Sequence, residues 1–541
     1  MKTKRITGLA YAAGGLLAVC GVTAVGLAQS AAPVGIFEGH GDYGTILHPG
    51  SVDYDAAAKT YTISGSGDNI WATEDDFHYV WKKVSGDFSL TADVTFIGTG
   101  GNEHRKGVLM MRQSLDQDSV YADVAVHGVG LTSIQARAVK GAATHEVQAN
   151  QTSPKRARIV KRGQYFYMWL SDGGEFQFTG GAMKIALADP FYIGIGVSAH
   201  NKDVVEKVMF SNVDVSPVPP AGNQKPDMYS AIETITVAST DRHITMMAPG
   251  RLEAPTWTKD GKTLIFASNG RIERVAEPGG KPEMVDTGTA VHAGSAHAVS
   301  PDGAQLAFSD EVKGKSSIYV APLAGGAPRL VAQANGSVRG WSPDGQTLVF
   351  TAAGKQKGQT DIFTVPAAGG KVTPLTTNGM EDSPEYTPDG KYIYFQSGRG
   401  GSVQIWRMKP DGAEQEQVTA DDSNNAYPHI SPNARQLVFV SYDKNVKGVP
   451  ENQPVTLKVM TLLAAPGRGA RGAAAPAQPA PAPPGPPDIA QLRRSVTVLT
   501  NMVGGQGTMD APCWSPNSLR LAFVTYHLLP HATAAKPTAK K

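Results

Sequence analysis

Residues 341–350 read Trp341-Ser342-Pro343-Asp344-Gly345-Gln346-Thr347-Leu348-Val349-Phe350. The stretch is one copy of a repeat. Related copies are Thr258-Lys259-Asp260-Gly261, Ser300-Pro301-Asp302-Gly303, Thr387-Pro388-Asp389-Gly390, Ser431-Pro432-Asn433-Ala434 and Ser515-Pro516-Asn517-Ser518. Each carries a Phe six residues after its Asp or Asn: Phe266, Phe308, Phe350, Phe395, Phe439 and Phe523. The Asp/Asn positions step by 42, 42, 45, 44 and 84 residues. A fixed period of about forty residues with a strand–turn–strand signature predicts a β-propeller.

Turn chemistry explains the pattern. Pro presets φ for the second turn position, Asp or Asn bonds its own backbone, and Gly supplies positive φ. The flanking runs are short and rich in Val, Leu, Ile and Phe, as strands are. A third strand follows in most copies, for example Asp361-Ile362-Phe363-Thr364-Val365, and a fourth ends in Leu or Val, as in Pro374-Leu375-Thr376. Four strands per repeat make a blade, and six repeats predict six blades. The first segment, with Thr234-Ile235-Thr236-Val237 and His243-Ile244-Thr245-Met246-Met247, has two strands but no preceding turn signature. It is expected to supply the outer strands of the last blade and close the ring.

Working outward, residues 227–530 are assigned to the propeller, and the Pro-rich residues 217–226 to a linker. The 84-residue step contains an insertion at 464–487 of almost pure Ala, Pro, Gly and Arg, which cannot build a core and is expected to be disordered, like the tail 531–541. Residues 31–216 lack the repeat. Their alternating segments, such as Phe88-Ser89-Leu90-Thr91-Ala92-Asp93-Val94 and Tyr165-Phe166-Tyr167-Met168-Trp169-Leu170, predict an antiparallel β-sandwich. The fold class is therefore all-β: an N-terminal sandwich followed by a six-bladed propeller. Residues 1–30 read as a signal peptide: Lys2, Lys4 and Arg5 precede an uncharged apolar run to Ala28. The alternative is an uncleaved segment that anchors the chain to the inner membrane. Leu17-Ala18-Val19-Cys20 faintly resembles a lipoprotein box.

The 541 residues carry a formal net charge of +2, which gives no electrostatic footprint for nucleic acid. Two cysteines, Cys20 and Cys513, leave no internal disulfide once the signal is removed. Cys513 reads as buried filler. There is no G-x-S-x-G, no phosphate-binding loop, and His145-Glu146 lacks the second His of a zinc protease helix.

Two resemblances follow from these residues. Gly107-Val108-Leu109-Met110-Met111-Arg112-Gln113-Ser114-Leu115-Asp116, with Ser119-Val120-Tyr121-Ala122, Trp81–Phe88 and Phe210–Val215, resembles the concanavalin-like (laminin-G-like, jelly-roll) modules of secreted carbohydrate-active proteins. The Pro-Asp-Gly repeats resemble the TolB family of periplasmic, WD40-like propellers. The resemblances imply a periplasmic or secreted, monomeric protein whose partners are envelope proteins or glycans. TolB itself has a small α/β domain where this chain has the predicted sandwich.

Candidate site residues fall into two groups. On the loops entering the inner strands, at the propeller mouth, are Glu253, His292, His297, Arg339, Glu381, Asp382, Tyr427, His429 and Asp510. On the sandwich, Trp71, His78, Trp81, Arg112 and Arg137 are candidates for a sugar-binding face, the other reading being that Trp81 and Trp169 are core and Arg112 is paired locally. No catalytic or metal-ligating residue is assigned and no cofactor is expected. Asp116, Asp118 and Asp123 form a weak calcium candidate beside the reading of a solvated loop. The expected function is non-catalytic binding or scaffolding. The alternative is a polysaccharide lyase or hydrolase working in the propeller mouth.

Overall fold

The computed structural model describes residues 33–99, 101–288, 290, 292–462 and 495–530. The expected signal peptide, insertion and tail lie outside these residues. Among the described residues there is no α-helix, and no helix long and apolar enough to cross a membrane.

The repeat turns form as their chemistry dictates. The Ser342 hydroxyl donates to Asp344 Oδ1 at 2.5 Å, and that oxygen accepts from the Gln346 N–H at 3.0 Å. The Thr347 N–H then donates to Ser342 Oγ at 2.9 Å. Thr258/Asp260, Ser300/Asp302, Thr387/Asp389, Ser431/Asn433 and Ser515/Asn517 repeat the hydroxyl-to-Asx bond. Gly345 has φ +70°, and where glycine is missing Ala434 and Ser518 take the same left-handed conformation at +56° and +62°. The Phe six residues on is buried in all six copies. A Trp just before the turn stitches neighbouring repeats together: Trp257, Trp341 and Trp514 donate their indole N–H to the carbonyls of Cys513, Ala298 and His429 at 3.1, 3.0 and 3.0 Å.

Five four-stranded antiparallel sheets lie within residues 252–284, 293–332, 336–374, 381–417 and 424–504. These are blades one to five. The expectation of six blades is corrected: five four-stranded blades form. The sixth set is three strands, Arg242–Pro249, Asp227–Thr236 and Arg520–Leu529, paired antiparallel in that order. Its innermost segment makes one isolated bridge, Trp514 to Leu521. The three strands are also continuous with an N-terminal sheet, because Arg242 and His243 pair in parallel with Val147 and Gln148. A ten-stranded sheet therefore runs from the N-terminal region into the ring.

Besides a short two-stranded hairpin, Ile70–Trp71 with Glu74–Asp75, the described N-terminal region has two large sheets. One continues the strands just described with His145–Gln148, Thr132–Arg137, Tyr121–His127, Lys106–Arg112, Phe191–Ser198, Phe77–Val84 and Gly39–Tyr43. The other has seven strands, in the order Gln177–Lys184, Tyr165–Ser171, Arg156–Arg162, Phe88–Ile97, Glu206–Pro217, Thr60–Gly65 and Ser51–Asp55. Strand alternation builds the core between them: Leu90, Ile159, Phe166, Met168 and Phe210 of the second sheet pack with Val80, Leu109, Val124, Ile134 and Ile195 of the first. Cys513 is buried in the ring, and burial pushes its thiol well above the ordinary value.

Candidate functional site

The innermost strand of each blade breaks its pairing near its start. The register shifts between Glu253 and Thr256, Ala293 and His297, Val338 and Gly340, Asp382 and Glu385, and Ala426 and His429. Ala254, Ser383 and Tyr427 take positive φ there, at +55°, +53° and +55°. A bulge of this kind re-aims side chains that regular alternation would send elsewhere. Its sequence signal was overlooked: Pro255, Pro384, Pro428 and Pro512 each stand three residues before the turn Ser or Thr, and Pro within a strand marks a bulge or an edge.

The bulges turn part of the predicted mouth into one network. Arg339 donates to Asp382 at 2.9 and 3.2 Å and reaches the Asp510 carbonyl at 3.5 Å. Asp382 also accepts from Thr351 at 2.8 Å, and Asp510 accepts from Ser295 at 2.8 Å and from the Gly507 N–H at 3.1 Å. Burial opposes the charge on Arg339, but Asp382, Asp510 and Tyr427 around it more than offset this and hold the guanidinium above its ordinary value. Burial, with Asp510 and Tyr442 adding to it, pushes the Tyr427 phenol well up. Glu253 is half-buried against Arg251 at 2.7 Å, and burial raises its carboxyl.

The remaining mouth candidates point elsewhere. His297 is fully buried, with ring nitrogens 2.9 and 3.3 Å from the carbonyls of Ser295 and Ile265. His429 sits between Glu385 at 2.5 Å and the Met509 carbonyl at 2.7 Å. Glu381 is buried and accepts from Arg399 at 2.8 Å and Ser397 at 3.1 Å. The side chain of His292 is exposed, while its N–H donates to Asp310 at 2.7 Å.

The N-terminal candidates are largely consumed by their own neighbours. Arg137 grips fully buried Asp75 with two bonds of 2.8 and 2.9 Å, and Arg112, also fully buried, approaches the same carboxylate at 3.4 Å. His78 is buried between Asp42 at 2.7 Å and His40 at 3.1 Å. Trp81 is half-buried, donates to the Tyr43 hydroxyl at 2.8 Å and stands edge-on to Tyr192. Trp71 lies under the Lys106 ammonium at 5.4 Å. These arginines line no open face, because both are fully buried with their guanidinium groups turned to the Asp75 carboxylate. Asp116 and Asp118 are paired with Lys140, whereas Asp123 is fully buried near Lys106, whose ammonium burial lowers to about 8. Among the described residues no group of three His, Cys, Asp or Glu is placed to hold a metal ion.

The reading of Trp169 as core is corrected. Phe166, Met168 and Leu170 face the core, so Tyr165, Tyr167 and Trp169 face outward and are half-buried. Trp169 is thus an outer-face residue and not core. The outward face meets the ring: Phe178 stands 5.1 Å from His527, 6.0 Å from Tyr229 and 5.4 Å from Trp169, ring centre to ring centre. A cavity of about 700 Å³ opens beside this contact, and a second of about 500 Å³ on its other flank, with Tyr167 in both walls.

Four-stranded blades arranged around inner strands with inward-turned polar residues define a β-propeller. Residues 279–477 match the model of the TolB β-propeller domain. An uncharacterised protein of Agrobacterium fabrum is 37% identical over 303 residues, which is 55% of this chain and 93% of the relative. The chain therefore belongs to the same family as that protein, a family of TolB-like β-propellers. The Tol-Pal system protein TolB of Bordetella pertussis is 37% identical over 117 residues, 21% of this chain and 27% of its own length. A solved structure from Agrobacterium tumefaciens, provisionally named TolB, is 35% identical and aligns over 56% of this chain and 99% of its own, with a TM-score of 0.48.

Proposed function

We propose that the protein is a non-catalytic binding or scaffold protein of the periplasm or secreted space, recruiting glycan or protein partners. The observation that carries this reading is the state of the mouth. His297, His429 and Asp382 are taken up by bonds that join one blade to the next. General acid–base chemistry needs a titratable group within reach of a substrate proton. His297 and His429, the natural candidates, are instead buried against backbone carbonyls and Glu385. A mouth whose two buried histidines are already bonded suits binding better than turnover, and this weighs against the lyase or hydrolase alternative.

The N-terminal two-sheet region is proposed to be the concanavalin-like module that its sequence resembles, and residues 1–30 the segment that directs export. The Bordetella relative's name places it in the Tol-Pal system. The shared stretch supports a related envelope setting, while the different N-terminal region argues for a different partner. The test incubates the purified protein with polysaccharides, esters and lactones, and separately captures partners from an envelope extract. Partner capture without turnover is expected. Turnover that is lost on substitution of Asp382 or Asp510 would overturn the proposal.

A further inference from the structure

We propose that the larger cleft between the N-terminal sheet and the ring is a binding site for a neutral oligosaccharide, an inference that rests on the binding-protein reading above. One wall is the outward face of the strand Tyr165–Ser171. Tyr165 and Tyr167 stand two residues apart there, with rings 6.3 Å apart and only 24° from parallel. Among the described residues neither phenol has a side-chain hydrogen bond, and burial raises both, Tyr167 to about 12. Two near-parallel, half-buried rings offer apolar ring surface to the cleft, which suits the C–H face of a sugar ring, and they end in polar hydroxyls.

The opposite wall is polar, with Asn452, Thr456 and Asn501 beside the charged Arg242, Asp443 and Lys458. Asn452 puts a buried Oδ1 there with no hydrogen-bond partner. Such an atom calls for a donor, since an unmet buried acceptor is costly. Asn501 accepts from the Thr456 hydroxyl at 2.8 Å, which leaves its amide N–H groups uncommitted. Aromatic faces on one side and amide or hydroxyl groups on the other match a ligand with apolar ring faces and a rim of hydroxyls. The charges of the walls are mixed or already used: Arg242 is paired with Glu233 and Lys458 with Asp421. That leaves Lys184, 5.8 Å from the Tyr165 ring centre, with Asp443 also in the walls, so among the described residues the lining holds one cation outside those pairs and no cluster of them to select an acidic sugar. The edge strand beside the tyrosines, Gln177–Lys184, is packed against the strands Asp227–Thr236, Arg242–Pro249 and Val496–Gly504, so it is not free to pair with an extended peptide.

The experiment uses the full chain and calorimetric titration with short oligomers of glucose, xylose, mannose and N-acetylglucosamine, a matched uronate series and an extended apolar peptide. At least one neutral series is expected to bind. Tyr167→Ala and Tyr165→Ala should each weaken it about tenfold, while Tyr165→Phe, which keeps the ring, should bind as the parent does. Unchanged melting curves would show that the variants fold. If the neutral sugars bind but the tyrosine variants bind equally well, this site is wrong although the binding function stands. Binding of the uronates or the peptide alone overturns the ligand class. If no glycan binds while envelope proteins are still captured, the inference falls and the broader reading survives.

Discussion

Replacing His297 by Gln should change how the ring responds to acid, and the size of the change follows from where the imidazole lies. The side chain is fully buried between blades one and two, and burial lowers its pKa from 6.5 to about 4, although two carbonyls and Asp510 favour the charged form. In the unfolded chain the imidazole takes up its proton near the ordinary value of about 6.5. Between the two values the unfolded state binds more protons than the folded one, so stability is full above the unfolded value and is lost as pH falls toward the folded one. Integrated over that window the loss is roughly 3 kcal/mol. His297→Gln removes it. Near neutrality the variant should be less stable by about 1 kcal/mol, the worth of a hydrogen bond, and the gap should close and reverse as the solution is acidified. Burial also lowers His527 to about 3 and His127 to about 2. Both are present in parent and variant and cancel in the comparison. Denaturant melts followed by tryptophan fluorescence across this pH range read the difference, and imidazole NMR reads the titration directly. Parallel stability curves, or a His297 that titrates near its ordinary value in the folded protein, would refute the reasoning.

Trp341→Phe keeps the ring but loses the indole bond to Ala298 across the blade boundary, and should cost about 1 kcal/mol; Trp341→Ala should cost about 3–5 kcal/mol, both read by denaturant melts. Arg137→Met leaves Asp75 buried with only the longer contact to Arg112, and a loss of about 3–5 kcal/mol is expected in denaturant melts; a loss of less than about 1 kcal/mol, the worth of an exposed pair, would contradict this. Replacing residues 464–487 by Gly-Gly should leave the melting temperature unchanged or slightly higher, because the flanking strands Gln453–Thr461 and Val496–Gly504 pair directly and a long loop adds only about 1 kcal/mol of closure entropy. Unfolding of the ring on that deletion would show the insertion to be structural.

The blades were legible because each is built from local information. Ser342, Asp344 and Gly345 fix their turn within six residues, and Phe350 buries itself by strand alternation. The bulges were written just as locally, in Pro255, Pro384 and Pro428, but a mouth read as entering loops put His297 and His429 on an open surface when they are buried between repeats. Two features had no local signal. The parallel contact of Val147 and Gln148 with Arg242 and His243 joins segments far apart in sequence and involves only two residues on each side. The union of Arg112, Arg137 and Asp75 depends on the short hairpin Ile70–Asp75 folding over the sheet, which gave the arginines a buried partner that spacing along the chain could not reveal. Tyr165, Tyr167 and Trp169 alternated legibly; what the sequence hid was that the face they occupy would meet a second body.

The pairing of Asp227–Thr236 with Arg520–Leu529 gives the chain an order of assembly. As the polypeptide is made from its N-terminus, the hairpin formed by 227–236 and 242–249 appears early. Its 242–249 side can be covered at once by 145–148, which already exists, but its 227–236 side has no partner until residue 520 has been made. Closure of the ring is therefore a test of completeness. Every chain that stops short of the last strand keeps an unpaired strand edge, the kind of surface that recruits other chains, and only a full-length molecule can conceal it.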